Sequence, residues 1–112
     1  MTMSEYRMPH DEIARDIADG KDVVVFCDND ELAKAHMSRV AGELMRMGRD
    51  RSELRVNHRG RTVRLEGGGI AHFVLTARNG YYSRGLAADE VYLSESARMQ
   101  MEYAGLMTMH RH

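Results

Sequence analysis

One cysteine, one proline and no tryptophan occur in 112 residues, and each scarcity removes a class of protein. With Cys27 alone there is no disulfide framework and no thiolate metal cluster, which suits a reducing compartment. No apolar run approaches the length of a membrane span or a secretory signal, so no membrane partner is expected. A net charge of −1 gives no general attraction to nucleic acid or lipid headgroups. The length suits a single domain, residues 1–112, with one core. What is abundant is methionine, with ten residues. Its flexible thioether fills irregular gaps and adaptable surfaces, which points to a loosely specified core or an interface.

The charges are unevenly distributed. Residues 1–31 hold nine acids against three bases, whereas residues 46–64 hold Arg46, Arg49, Arg51, Arg55, Arg59, Arg61 and Arg64 against Asp50 and Glu53. An acidic end and a basic middle favour head-to-tail self-association or a local phosphate contact. A solvated face without a partner accounts for the same residues.

Hydrophobic periodicity predicts strands alternating with helices. Residues 1–8 are expected to be flexible. Pro9 fits the first turn of a helix, with Asp11 and Glu12 at its positive end and Ile13, Ala14 and Ile17 as an apolar stripe. Gly20 ends it. The continuous run Val23–Cys27 predicts a strand covered on both faces, as in a parallel sheet. Asp28 as N-cap and Glu31 three residues on approximate a capping box. The following helix carries Leu32, Val40, Leu44 and Met47, with Ala33, Met37 and Ala41 beside them, and stops at Gly48. Leu54–Asn57 and Thr62–Glu66 predict a hairpin whose second strand alternates, Val63 and Leu65 inward. Gly67–Gly69 turns into a central strand Ile70–Ala77. Glu90–Leu93 predicts a short strand, and a Met-rich helix follows over residues 95–109 with Met99, Met101, Tyr103, Leu106, Met107 and Met109. The expected fold class is α/β, a single domain with a mainly parallel sheet and one β-hairpin.

Few constellations carry chemistry. Gly20-Lys21 is the only Gly-Lys pair, but it leads into a strand and Asp22 follows where a phosphate-binding loop needs Ser or Thr. Gly67–Gly69 also feeds a strand and reads as a hairpin turn needing positive φ. Asp28, Asp30 and Glu95 fall at the carboxyl ends of strands, where open α/β sheets take ligands. Asp28 with Asp30 would suit Mg²⁺, and helix capping explains the same pair. The six histidines do not cluster at ligand spacing, with His36 and His72 read as core residues. No Ser/His/Asp or Cys/His set assembles, and Cys27 reads as inert.

Arg55–Asn57, Gly60, Arg61–Glu66, Gly67–Gly69, Ile70–Ala77, Arg78, Ser83-Arg84-Gly85, Asp89, Val91–Leu93 and Glu95 together resemble the ATPase core of tailed-phage large terminase subunits. In that family a hairpin and a buried strand precede an Arg-Gly loop, and a spaced Asp leads into an apolar strand ending in Asp-Glu-Ala. The similarity spans about Lys21 to Ala97. It implies a three-layer P-loop-NTPase-like (RecA-like) domain. The chain departs from the pattern where catalysis resides: the phosphate-binding loop is missing, and the end of the apolar strand reads Ser94-Glu95-Ser96. Only Glu95 and Arg84 correspond to functional positions, as vestiges without their partners.

The expectation is therefore a non-enzymatic phage protein with a degenerate terminase-like fold, using no cofactor and no metal, in the cytoplasm of the bacterial host. It would act by binding its own copies, another phage protein or a host protein, with the Met-rich last helix as the interface. The alternative is a nucleic-acid-binding module using the seven arginines, though no aromatic residue between them offers a stacking platform. A third reading is an NTPase completed by a partner chain that supplies the phosphate grip.

Overall fold

The protein is described here by a computed structural model covering residues 8–75 and 88–94. The elements run α1 (His10–Ala18), β1 (Asp22–Cys27), α2 (Asp30–Arg46), a 3₁₀ turn (Arg51–Glu53), β2 (Leu54–Asn57), β3 (Thr62–Leu65), β4 (Ile70–Leu75) and β5 (Glu90–Leu93). The five strands form one open sheet in the order β2-β3-β4-β1-β5. β1 pairs in parallel with β4 and β5, and β3 runs antiparallel to both β2 and β4. This is the expected α/β domain, its sheet mainly parallel with one hairpin. The Met-rich helix at 95–109 lies outside the described residues.

The run Val23–Cys27 is buried throughout because β1 is covered on both faces. Val23, Val25 and Cys27 join Ile13, Ala14 and Ile17 of α1 and Ala33, Met37, Val40 and Leu44 of α2 in the main core. Val63, Leu65, Ala71, Phe73 and Leu75 complete it from the neighbouring strands, so both helices cover the same face. On the opposite face Val24, Phe26 and Val74 form a second cluster, with Ala88, Val91 and Leu93 packed against it. Each fully buried aliphatic or aromatic side chain contributes about 1.5–3 kcal/mol relative to exposure. These two layers of side chains fix β1 as the spine.

Three local expectations need correction. The cap of α2 is Asn29, whose side chain accepts from the Leu32 amide at 2.8 Å, and Asp28 is left free for another partner. The buried stripe of α2 follows Ala33, Met37, Val40, Ala41 and Leu44, which leaves Leu32 and Met47 exposed. Helical spacing makes that set one face, whereas Leu32 and Met47 lie off its edges. Met8 packs into the core and so does not belong to a flexible leader.

The triple-glycine turn has two separate causes. Gly67 has φ of 79°, in the region that only glycine enters without cost. Gly69 is required by proximity: a Cβ there would meet the Lys21 carbonyl oxygen at 2.0 Å. Its amide donates to the Ile17 carbonyl at 2.7 Å, and the next amide, Ile70, donates to Lys21 at 3.1 Å. The turn therefore clamps the start of β4 to the loop between α1 and β1, which sets the register of the central pair. Gly69→Ala is expected to lower unfolding free energy by roughly 3 kcal/mol, read from the urea midpoint. Gly42→Ala, within α2 with open space around it, is expected to raise it by about 0.5–1 kcal/mol.

Candidate functional site

Open α/β sheets take ligands beyond the carboxyl ends of their strands, and here β1 and β5 deliver Asp28 and Ser94 to that edge. Ser94 Oγ donates to Asp28 Oδ1 at 2.9 Å. Asp30, in the first turn of α2, accepts from Arg61 Nη1 at 3.0 Å and pairs with Lys34 at 3.2 Å. The hydrogen bond from Lys34, and then that from Arg61, hold the Asp30 carboxyl below its ordinary pKa. Arg61 directly precedes β3, with φ of 55°, an uncommon conformation for a side-chain-bearing residue. β3 runs opposite to β4, so Arg61, which precedes it and accepts from the Phe73 amide, lies toward the end of the sheet where β1 and β4 exit.

Asp28 and Asp30 do not form an open pair of carboxylates here. The carboxylate of Asp28 is bonded to a hydroxyl, and Asp30 is held by two cations. The one Gly-Lys pair lies at the other end of β1, on the order of 20 Å away by strand rise. There Lys21 Nζ contacts Glu90 at 3.4 Å and Asp16 at 3.7 Å, while Gly20 is a helix stop with φ of 88°. Among the described residues no group of three potential ligands converges. Cys27 is buried and its thiol is pushed up to about 12, mainly by desolvation, so it is no nucleophile. Glu95 and Arg84, and the residues Met99, Met101, Tyr103, Leu106, Met107 and Met109, lie outside the described residues.

The seven arginines separate. Arg61 is engaged by Asp30, and Arg46 reaches Glu43 at 3.8 Å. Arg49, Arg51, Arg55, Arg59 and Arg64 are exposed, and none makes an ion pair among the described residues. The two acids of the segment do not neutralise them: Asp50 and Glu53 close a capping box on the 3₁₀ turn. Arg55 and Arg64 stand directly opposite each other across the hairpin, on the face away from the helices. With Asn57, Thr62 and Ile70 they line a shallow concavity. Like charges directly opposed on a sheet repel, which makes this spot receptive to an anion.

Sequence reasoning also missed a histidine pair. His10 Nε2 lies 2.8 Å from His36 Nδ1, joining the first turn of α1 to α2. The rings face an open concavity bounded by Met8, Asp11, Arg39, Glu43 and Arg46. The two residues are 26 apart in sequence, so no spacing rule could pair them. Burial is the main cause that takes His10 from 6.5 down to about 4, followed by His36 and Arg39; His36 is also lowered, again chiefly by burial. His72 is half-buried and lies 3.6 Å from Asp22.

No protein-family model matches the chain, and no curated protein or solved structure matches it. No helix among the described residues is long and apolar enough to cross a membrane.

Because the folded state holds His10 and His36 neutral, their contribution is complete above pH 6.5. It is lost as pH falls toward the depressed folded values, since only the unfolded chain takes up protons readily. Wild type is therefore expected to lose stability between about pH 6.5 and pH 4 more steeply than His10→Gln. The difference should be about 1 kcal/mol, discounted for the half-exposed rings, in urea titrations at the two ends of that window.

Proposed function

We propose that this chain is a non-enzymatic phage protein with a degenerate terminase-like ATPase fold, working in the host cytoplasm by protein binding or self-assembly. The domain would be a three-layer, RecA-like α/β core without its phosphate-binding loop. One observation carries this reading. At the carboxyl end of the sheet the polar groups satisfy one another, Ser94 with Asp28 and Arg61 with Asp30. Phosphoryl transfer depends on donors and cations held open for charge that builds up in the transition state. Here the cation is already paired to an acid, and a serine stands where the family pattern has a metal-binding aspartate. An open basic and apolar margin at β2 supplies a surface for binding instead. Thermal unfolding with and without Mg-ATP tests the proposal: no shift in Tm and no phosphate release are expected. A saturable rise in Tm or measurable turnover would return the chain to the NTPases, including those completed by a partner chain.

A second reading, nucleic-acid binding, is favoured by the unpartnered cross-strand pair Arg55 and Arg64. If it holds, binding of a duplex in a gel shift falls steeply with salt, and Arg55→Ala with Arg64→Ala reduces the salt slope by about two. Absence of a shift at low salt removes it.

A further inference from the structure

Among the described residues β2 is the outer strand of the sheet, and its neighbours fix its hydrogen-bonding pattern. The Glu66 amide donates to Glu53 at 2.8 Å, so residues 53 and 66 form a hydrogen-bonded pair. Alternation along the antiparallel register then makes Arg55↔Arg64 and Asn57↔Thr62 the hydrogen-bonded pairs of the hairpin. The intervening pairs turn their main-chain groups outward. The N–H and C=O of Val56, and the C=O of Leu54, face away from the sheet, whereas the Leu54 amide is used by Arg51. The opposite edge of the hairpin checks the phase: Leu65 bonds Gly69 and Phe73 bonds Arg61, as the same alternation requires on the β4 side of β3.

Beside this open edge lies a groove of mixed polarity with apolar walls. Ala41 and Met45 of α2 form one wall and Leu54 and Val56 the other, with Ser38, Arg51 and His58 at the rim; its volume is about 460 Å³. Val56 is 37% exposed and Met45 43%. The pleat puts Leu54 and Val56 on the helix side and Arg55 on the other. A strand laid along β2 would therefore meet hydrophobic side chains on one face and a guanidinium on the other.

From this geometry we infer that β2 is a docking edge for an extended acidic segment of a partner protein, added to the sheet as a sixth strand. Apolar side chains at alternate positions of that segment enter the groove between Met45 and Val56. Carboxylates at the intervening positions face Arg55, and flanking acids meet Arg51 and Arg59. The charge pattern selects the occupant. Two copies pairing β2 to β2 about Arg55 would set the two guanidiniums against each other, so symmetric self-pairing is disfavoured. Addition of a strand draws its affinity from main-chain bonds and its specificity from alternate side chains. The inference rests on the protein-binding reading above and names the chemistry of the partner.

The test uses the full chain and a synthetic peptide in which glutamate alternates with valine, with a lysine-for-glutamate peptide as control. Titration calorimetry is expected to show binding of the acidic peptide that weakens with salt, and none of the lysine peptide. Val56→Pro removes the outward amide, which no ladder bond uses, and is expected to weaken binding about tenfold while the chain still unfolds cooperatively. Met45→Glu, which puts a charge into the groove wall, should weaken it similarly. Equal binding of both peptides, unaltered binding by Val56→Pro with its fold intact, or no binding of the acidic peptide overturns the inference. Binding of single-stranded DNA that displaces the acidic peptide and is indifferent to Val56→Pro overturns it in favour of a nucleic-acid surface. If the peptide fails yet the chain self-associates in sedimentation, the inference falls and the protein-binding reading stands. Turnover of Mg-ATP removes that reading whatever the peptide does.

Discussion

The burial of β1 on both faces is the constraint from which the rest of the structure follows. A strand with no solvent face needs a neighbour on each side and a layer above and below. β4 and β5 provide the first and the two helices one of the layers, while on the other face Val74, Ala88, Val91 and Leu93 pack with Val24 and Phe26. Its position also fixes what emerges at its end. Asp28 must leave the sheet beside Ser94, and the first turn of α2 must present Asp30 to the start of β3. The contact between Gly69 and the Lys21 carbonyl locks the other end, where there is no room for a side chain.

Two ends of the same sheet consequently differ in character. At the carboxyl end, acid and base are matched locally, and an anion arriving there would find its cation already neutralised. At the β2 margin the arginines remain unmatched because their nearest acids close a backbone turn. Unpaired positive charge thus gathers at the edge of the hairpin and not at the strand exits. The exposed methionine and valine beside that edge add apolar area that the fold itself does not use.

Much of the architecture was legible before any coordinates. The unbroken run Val23–Cys27 specified a strand covered on both sides, and the alternation of Val63 and Leu65 with Arg64 specified a half-exposed hairpin arm. Both signals survive because burial acts residue by residue along a regular backbone. The cap of α2 was misplaced by one residue, since Asp28 and Asn29 are equally good caps in sequence and only the Ser94 hydroxyl decides between them. Leu32 and Met47 were assigned inward because both are apolar, whereas helical geometry turns them out. Of the candidate site, the positions of Asp28 and Asp30 at a strand exit were readable, but their partners were not.

What the linear chain determined by itself is the order of the described elements and the buried spine. These depend on local propensity and periodicity, which contiguous residues carry. Tertiary structure alone decided which charges meet: Arg61 with Asp30, Ser94 with Asp28, His10 with His36, and Arg55 left facing Arg64. Those pairings join residues far apart in the chain, or set two cations against each other, and they arise only when strand order brings distant side chains to one edge.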